Sequence, residues 1–164
     1  MDTLEFMDRI DKIYERDLKY ESLLTESQEI NFKVLNEHNG GGINYREYLN
    51  NEVGEIMDQN KIIYPASRIY ILYDYPFLSE IKFYIKSEKE EGFTTRELID
   101  KIVRYYYLLI QIEYDYNIDN GTMISNNGSR ILHSPDIDDK NIGITGIKYS
   151  KTEKAWIVQY NNYI

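Results

Sequence analysis

His133 stands directly before Ser134-Pro135-Asp136-Ile137-Asp138-Asp139. An imidazole close to three carboxylates is able to hold a divalent cation or to act as an acid–base centre. The same acids also read as a turn facing water, and neighbours in sequence need not converge as ligands. The simpler reading is the solvated turn, so no catalytic or metal-ligating residue is assigned. A metal-dependent enzyme built on His133 and the loop 136–139 is kept as the alternative.

Three other constellations fail on spacing. Asp115, Asn117 and Asp119 have the alternation of a calcium loop. Such a loop requires Gly at its sixth position and Glu at its twelfth. Counted from Asp115, Gly121 falls seventh and Asn126 twelfth. Gly40-Gly41-Gly42 is not followed by the Lys-Ser/Thr of a phosphate loop, nor are its glycines spaced as in a dinucleotide fingerprint. It reads as a flexible joint, with His38 as a solvated residue in the bend before it. A Gly-x-Ser-x-Gly elbow is absent, and nothing singles out a carboxylate pair among the 28 acids. The chain has no cysteine, which removes disulfides, thiolate zinc sites and thiol nucleophiles together. Trp156, beside Ile157 and Val158, reads as core. No cofactor is expected.

The elements that would position these residues follow from periodicity. Residues 2 to about 36 read as helical: Phe6, Met7, Ile10, Tyr14, Leu18 and Leu24 recur near helical spacing. Thr25-Glu26-Ser27-Gln28 has capping-box form and predicts a second short helix through Ile30, Val34 and Leu35. Asn44 caps a further helix expected to run to about Gln59, with Tyr45, Tyr48, Leu49, Val53, Ile56 and Met57 on one face. Lys61–Tyr64, Arg68–Tyr75 and Glu80–Lys86 read as strands, the last two as an antiparallel pair. Thr94 with Glu97, and Phe93 with Leu98, give a capping box and a hydrophobic staple. They open a long helix expected to reach about Tyr114. Its main stripe is Leu98, Ile99, Ile102, Val103, Tyr106, Leu109 and Ile110. Tyr105, Leu108 and Ile112 form a second apolar face, which predicts packing on both sides. Arg130–His133 reads as a short strand. Ile142–Tyr149 and Lys154–Tyr160 read as a hairpin.

Composition narrows the class. A chain of 164 residues with 42% hydrophobic and 29% charged residues is one ordinary globular domain. The net charge of -9 repels phosphate backbones and anionic membranes, and favours a basic partner if it favours any. Single-stranded nucleic acid stacking on exposed tyrosines is a third reading, disfavoured by that charge. No stretch has the length of a membrane span, and the first residues show no secretory signal. An intracellular setting is expected. The 17 tyrosines accompany abundant Ile, Asn and Lys and only two alanines, Ala66 and Ala155. All four abundant types have AT-rich codons.

Ile63-Tyr64-Pro65, then Gly92-Phe93-Thr94-Thr95 opening the long helix, then Asp136-Ile137-Asp138-Asp139 ahead of Gly146-Ile147-Lys148-Tyr149 form an order of motifs. Over residues 60–160 this order resembles a poorly characterised family in large DNA viruses of the mimivirus type, with plant relatives. The resemblance implies one folded α+β unit, a viral source, and a place in the host cytoplasm or the virion. That family carries no established activity, so it transfers no site residue.

The expectation is an α+β fold: a small antiparallel sheet on one long central helix, with N-terminal helices beside it. The expected divisions are a helical extension over 1–39, a glycine joint at 40–43 and an α+β domain over 44–164. The expected function is non-enzymatic interaction, with a protein partner or a second copy docking on the amphipathic N-terminal segment.

Overall fold

A computed structural model describes residues 2–35, 42–74, 80–119 and 142–162. In chain order the elements are α1 (Thr3–Ser22), β1 (Glu29–Asn31), α2 (Tyr45–Leu49), β2 (Ile62–Tyr64), β3 (Arg68–Tyr73), β4 (Ile81–Lys86), β5 (Phe93–Thr94), α3 (Thr95–Asp119), β6 (Ile142–Ser150) and β7 (Ala155–Asn162). The class is α+β, as expected.

Five strands form the main sheet in the order β1-β6-β7-β3-β4. Its pairings are antiparallel except β3 with β7, which run parallel and set Ile71 opposite Trp156. The sheet is therefore mixed rather than purely antiparallel. A parallel neighbour requires a crossover, and α3 lies in the chain between β3 and β7. β2 and β5 form a separate two-stranded ribbon.

Alternation along the strands decides what the sheet covers. Ile69, Ile71 and Tyr73 of β3, opposite Ile85, Phe83 and Ile81 of β4, turn to α3. Trp156 and Val158 of β7 and Ile147 of β6 continue that surface. The α3 stripe of Leu98, Ile99, Ile102, Val103, Tyr106 and Leu109 is buried on it. Aromatic contacts lock the layers: Tyr73 packs against Phe83 and Tyr106, and Tyr106 against Tyr160. The Tyr73 hydroxyl donates to the Ile102 carbonyl at 2.5 Å. Both alanines are fully buried.

The start of α3 follows the sequence only in part. Thr94 Oγ1 accepts from the Glu97 N–H at 3.1 Å, as a cap should. The Glu97 carboxylate does not return to Thr94. It accepts from Ser87 Oγ at 2.5 Å and from the Glu88 N–H at 2.6 Å, fastening the β4–β5 loop to the helix. The helix runs to Asp119, past Tyr114. Its second apolar face is not packed as expected, because Leu108 and Ile112 are exposed.

Two other helix expectations are corrected. Residues 25–35 do not form a helix: the Thr25–Gln28 turn leads into β1, which pairs with β6. Non-local pairing overrides the local capping pattern here. Ile30 places its carbonyl so close to β6 that a Cβ on Gly146 would lie 2.2 Å from it, at a point where the β6–β7 register shifts. Among the described residues 2–35, helix thus ends at Ser22 and residues 29–31 contribute an edge strand. α2 stops at Leu49, well short of Gln59, although Asn44 does cap it. Asn51 takes φ 58°, a left-handed conformation that ends a helix. Of the glycine joint, Gly40 and Gly41 lie outside the described residues. Gly42 has φ 80° and sits where any Cβ would meet the Ile144 carbonyl at 2.5 Å. The expected strand Arg130–His133 also lies outside the described residues.

Two predictions follow from this packing. Replacing Gly146 by Ala should destabilise the fold by about 1–3 kcal/mol through that overlap, seen as a lower urea midpoint and faster amide exchange in β1. Burial raises the phenol pKa values of Tyr73 and Tyr160 well above 10.0. The unfolded chain then loses these protons first, so their contribution is complete below pH 10 and declines above it. Each should steepen the alkaline loss of stability by about 1.4 kcal/mol per pH unit. Phenolate absorbance and near-UV circular dichroism should change together if this holds.

Candidate interaction surface

α1 is well specified locally. Asp2 accepts from the Glu5 N–H at 2.8 Å and Glu5 reaches back to the Asp2 N–H, a complete capping box. Three turns of apolar residues follow, and such a stripe normally faces a core. Here it does not. Leu4, Phe6, Met7, Ile10, Tyr14 and Leu18 are all exposed, Phe6 at 56% and Ile10 at 47%.

The fully buried side chain of this helix is instead a carboxylate. Asp17 is 2% exposed. It accepts from the Ser67 backbone N–H at 3.0 Å and from the Ser67 hydroxyl, and pairs with Arg16 at 3.1 Å. Arg16 also donates to the Glu90 carbonyl, and Arg9 pairs with the Glu90 carboxylate. Glu21 holds Arg68 at 3.3 Å, and the Arg68 guanidinium lies 4.6 Å from the centre of the Tyr14 ring. Tyr20 meets Tyr64 edge-on, with ring centres 5.0 Å apart. The C-terminal half of α1 is thus fixed to the start of β3 and to the β4–β5 loop by mainly polar contacts.

The remaining apolar side chains form a ridge. At 100° per residue, Met7, Ile10, Tyr14 and Leu18 share one side of the helix, with Asp11 and Glu15 along its outer edge. Arg9 and Arg16 lie on the far side of the helix, against Glu90. Lys12 is paired with Asp8 at 3.0 Å. Among the described residues, no ion pair engages Asp11 or Glu15. The free edge of the ridge is therefore anionic over Asp11 and Glu15, with Lys19 one turn beyond.

At Leu18 the ridge opens into a groove of about 470 Å³ between α1 and the β6–β7 turn. Tyr64, Tyr70, Tyr149 and Trp156 line it, and Lys151 and Lys154 stand at its mouth. Burial raises the Tyr149 pKa, and the nearby Glu21 and Glu26 raise it further. The Tyr149 phenol thus stays protonated at ordinary pH.

The residues first considered for chemistry fall elsewhere. His38, His133 and Asp136, Asp138 and Asp139 lie outside the described residues. Asp115, Asn117 and Asp119 are within the last turns of α3, and a helical backbone cannot wrap a cation as a calcium loop does. Trp156 is buried at the floor of the groove. Among the described residues, no three His, Cys, Asp or Glu side chains are grouped to hold a metal, and no helix is long and apolar enough to cross a membrane. Of the described tyrosines, Tyr14, Tyr70, Tyr84 and Tyr107 are exposed, and Tyr70 and Tyr84 pack on each other across β3 and β4 at 5.1 Å.

Asp17, Arg9, Arg16 and Glu90 were not singled out by the sequence reading. One signal for them was present: Asp17 falls inside the apolar stripe of an otherwise regular amphipathic helix. No family model matches this chain, and no curated protein or solved structure matches it.

Asp17→Ala should leave the part-buried Ser67 N–H without its acceptor, at a cost of about 1–3 kcal/mol. Hydrogen exchange should speed up across α1 while β3 and β7 stay protected; uniform loss of protection would mean that Asp17 supports the whole fold instead.

Proposed function

We propose that this chain is a non-enzymatic protein-interaction module whose docking face is the α1 ridge, and that its occupant is an amphipathic helix of a protein partner. One observation carries the reading: a capped, regular helix held by polar contacts while its apolar stripe faces water. Large contiguous apolar surface on a soluble chain marks interaction sites. Covering the exposed half of each ridge side chain would contribute roughly 1 kcal/mol apiece before the cost of association. Helix-in-groove recognition uses this i, i+4 spacing of anchors, and the groove at Leu18 gives a bulky anchor a seat. The viral source and an intracellular place belong to this proposal through the motif order over residues 60–160.

Photo-crosslinking tests it. A benzophenone amino acid in place of Met7 or Leu18, in the full chain expressed in the native host, should give one discrete protein adduct. The adduct should map to a helix-forming amphipathic segment of the captured protein. The same group in place of Lys19, on the opposite side of α1, should give none. Equal labelling from both sides would refute the ridge as the docking face.

A further inference from the structure

The charges around the ridge identify the partner more closely, on the premise that the ridge is the docking face. We infer that the docked helix is basic: an amphipathic segment with Lys or Arg flanking its apolar stripe, from a protein other than this one. Three observations carry this.

Asp11 and Glu15 lie one turn apart along the accessible edge of the ridge, and among the described residues no cation pairs with either. Of the α1 cations, Arg9 and Arg16 are used at Glu90 and Lys12 at Asp8. Lys19 has no ion pair among the described residues and stands with Lys151 and Lys154 at the Leu18 end, so the basic residues of the partner belong opposite Asp11 and Glu15 and not at the groove. The whole chain carries a net charge of -9, so the long-range field acts in the same direction.

The same placement disfavours a second copy. Two α1 helices packed antiparallel about a two-fold axis bring like edges together, Asp11 and Glu15 of one against those of the other. A parallel pair would set that acidic edge against the Asp17 side of the helix, which faces its own domain. An anionic lipid surface is disfavoured by the same carboxylates. A helix with basic flanks satisfies them, and its Lys or Arg stems extend the apolar cover.

The probes are synthetic helices of about 18 residues, long enough to hold a helix when bound. One is made of Leu and Lys in amphipathic order, the second is the same composition scrambled, and the third has Glu in place of Lys. Fluorescence anisotropy with the full chain should give micromolar binding for the first probe alone, weakening as salt rises. Ile10→Gln, at an exposed position, should weaken it about tenfold. The double variant Asp11→Lys with Glu15→Lys should reverse the preference to the Leu/Glu probe.

Binding of the Leu/Glu probe to the unaltered chain as tightly as the Leu/Lys probe would overturn the basic partner and leave the ridge in place. Equal binding of ordered and scrambled Leu/Lys probes would show bulk charge attraction and overturn the inference. Sedimentation of the unaltered chain as a dimer, made monomeric by Ile10→Gln, would assign the ridge to a second copy instead. No binding by any amphipathic probe would remove the ridge reading itself.

Discussion

A buried carboxylate sets how the surface of this protein is arranged. Asp17 takes the Ser67 N–H and hydroxyl and is partnered by Arg16, so the charge is compensated where it is buried. Burial of an ionised group is tolerated only with such compensation. The geometry it demands orients α1. With Asp17 turned inward at Ser67 and Arg9 and Arg16 turned to Glu90, the N-terminal turns carry their apolar stripe beyond the domain. A leucine at position 17 would bring hydrophobic docking without a fixed register. A carboxylate aimed at one backbone N–H fixes both rotation and position.

Most of the core is assembled from elements other than this helix. α3 and the sheet bury Leu98, Ile99, Ile102, Val103, Tyr106, Ile69, Ile71, Tyr73, Trp156 and Val158 against one another. α1 adds Tyr20 against Tyr64 and, just past its end, Leu24. The packed core and the exposed ridge are therefore built from different residues. Substitution at Phe6 or Ile10 is expected to change folding little, since exposed positions away from caps and packed groups contribute little to stability. Asp17 links the two, because it controls the angle at which the ridge is presented.

Where local and non-local signals agreed, the sequence was readable. β3, β4 and the β6–β7 hairpin have clean alternation or closely spaced partners, and α3 has a cap, a staple and a full stripe. Where they disagreed, the non-local term won. Thr25–Gln28 has the letters of a capping box, yet Ile30 is captured by β6 and the segment becomes an edge strand. Val53, Ile56 and Met57 keep helical spacing, yet the helix ends at Leu49 and Val34 bridges Ile56 instead. Glu97 has a place in a capping box, yet Ser87 and the Glu88 N–H claim its carboxylate. The ridge residues were all visible as an amphipathic pattern. Periodicity gives the direction of a stripe relative to the helix axis and nothing about what stands in front of it.

The sequence by itself determined an α+β class, the absence of thiol chemistry, the acidic field, the position of α3 and the amphipathic character of α1. These depend on composition or on residues within a few turns of each other. The tertiary structure alone decided that β3 and β7 run parallel, that residues 29–31 are a strand, and that the apolar side of α1 faces outward. Each of those outcomes rests on contacts between residues dozens of positions apart: Ile71 with Trp156, Ile30 with Ile147, Asp17 with Ser67. An aspartate inside an apolar stripe has no local reason to be buried. Its partner at Ser67 supplies the reason, and that partner is brought near only when the chain has folded.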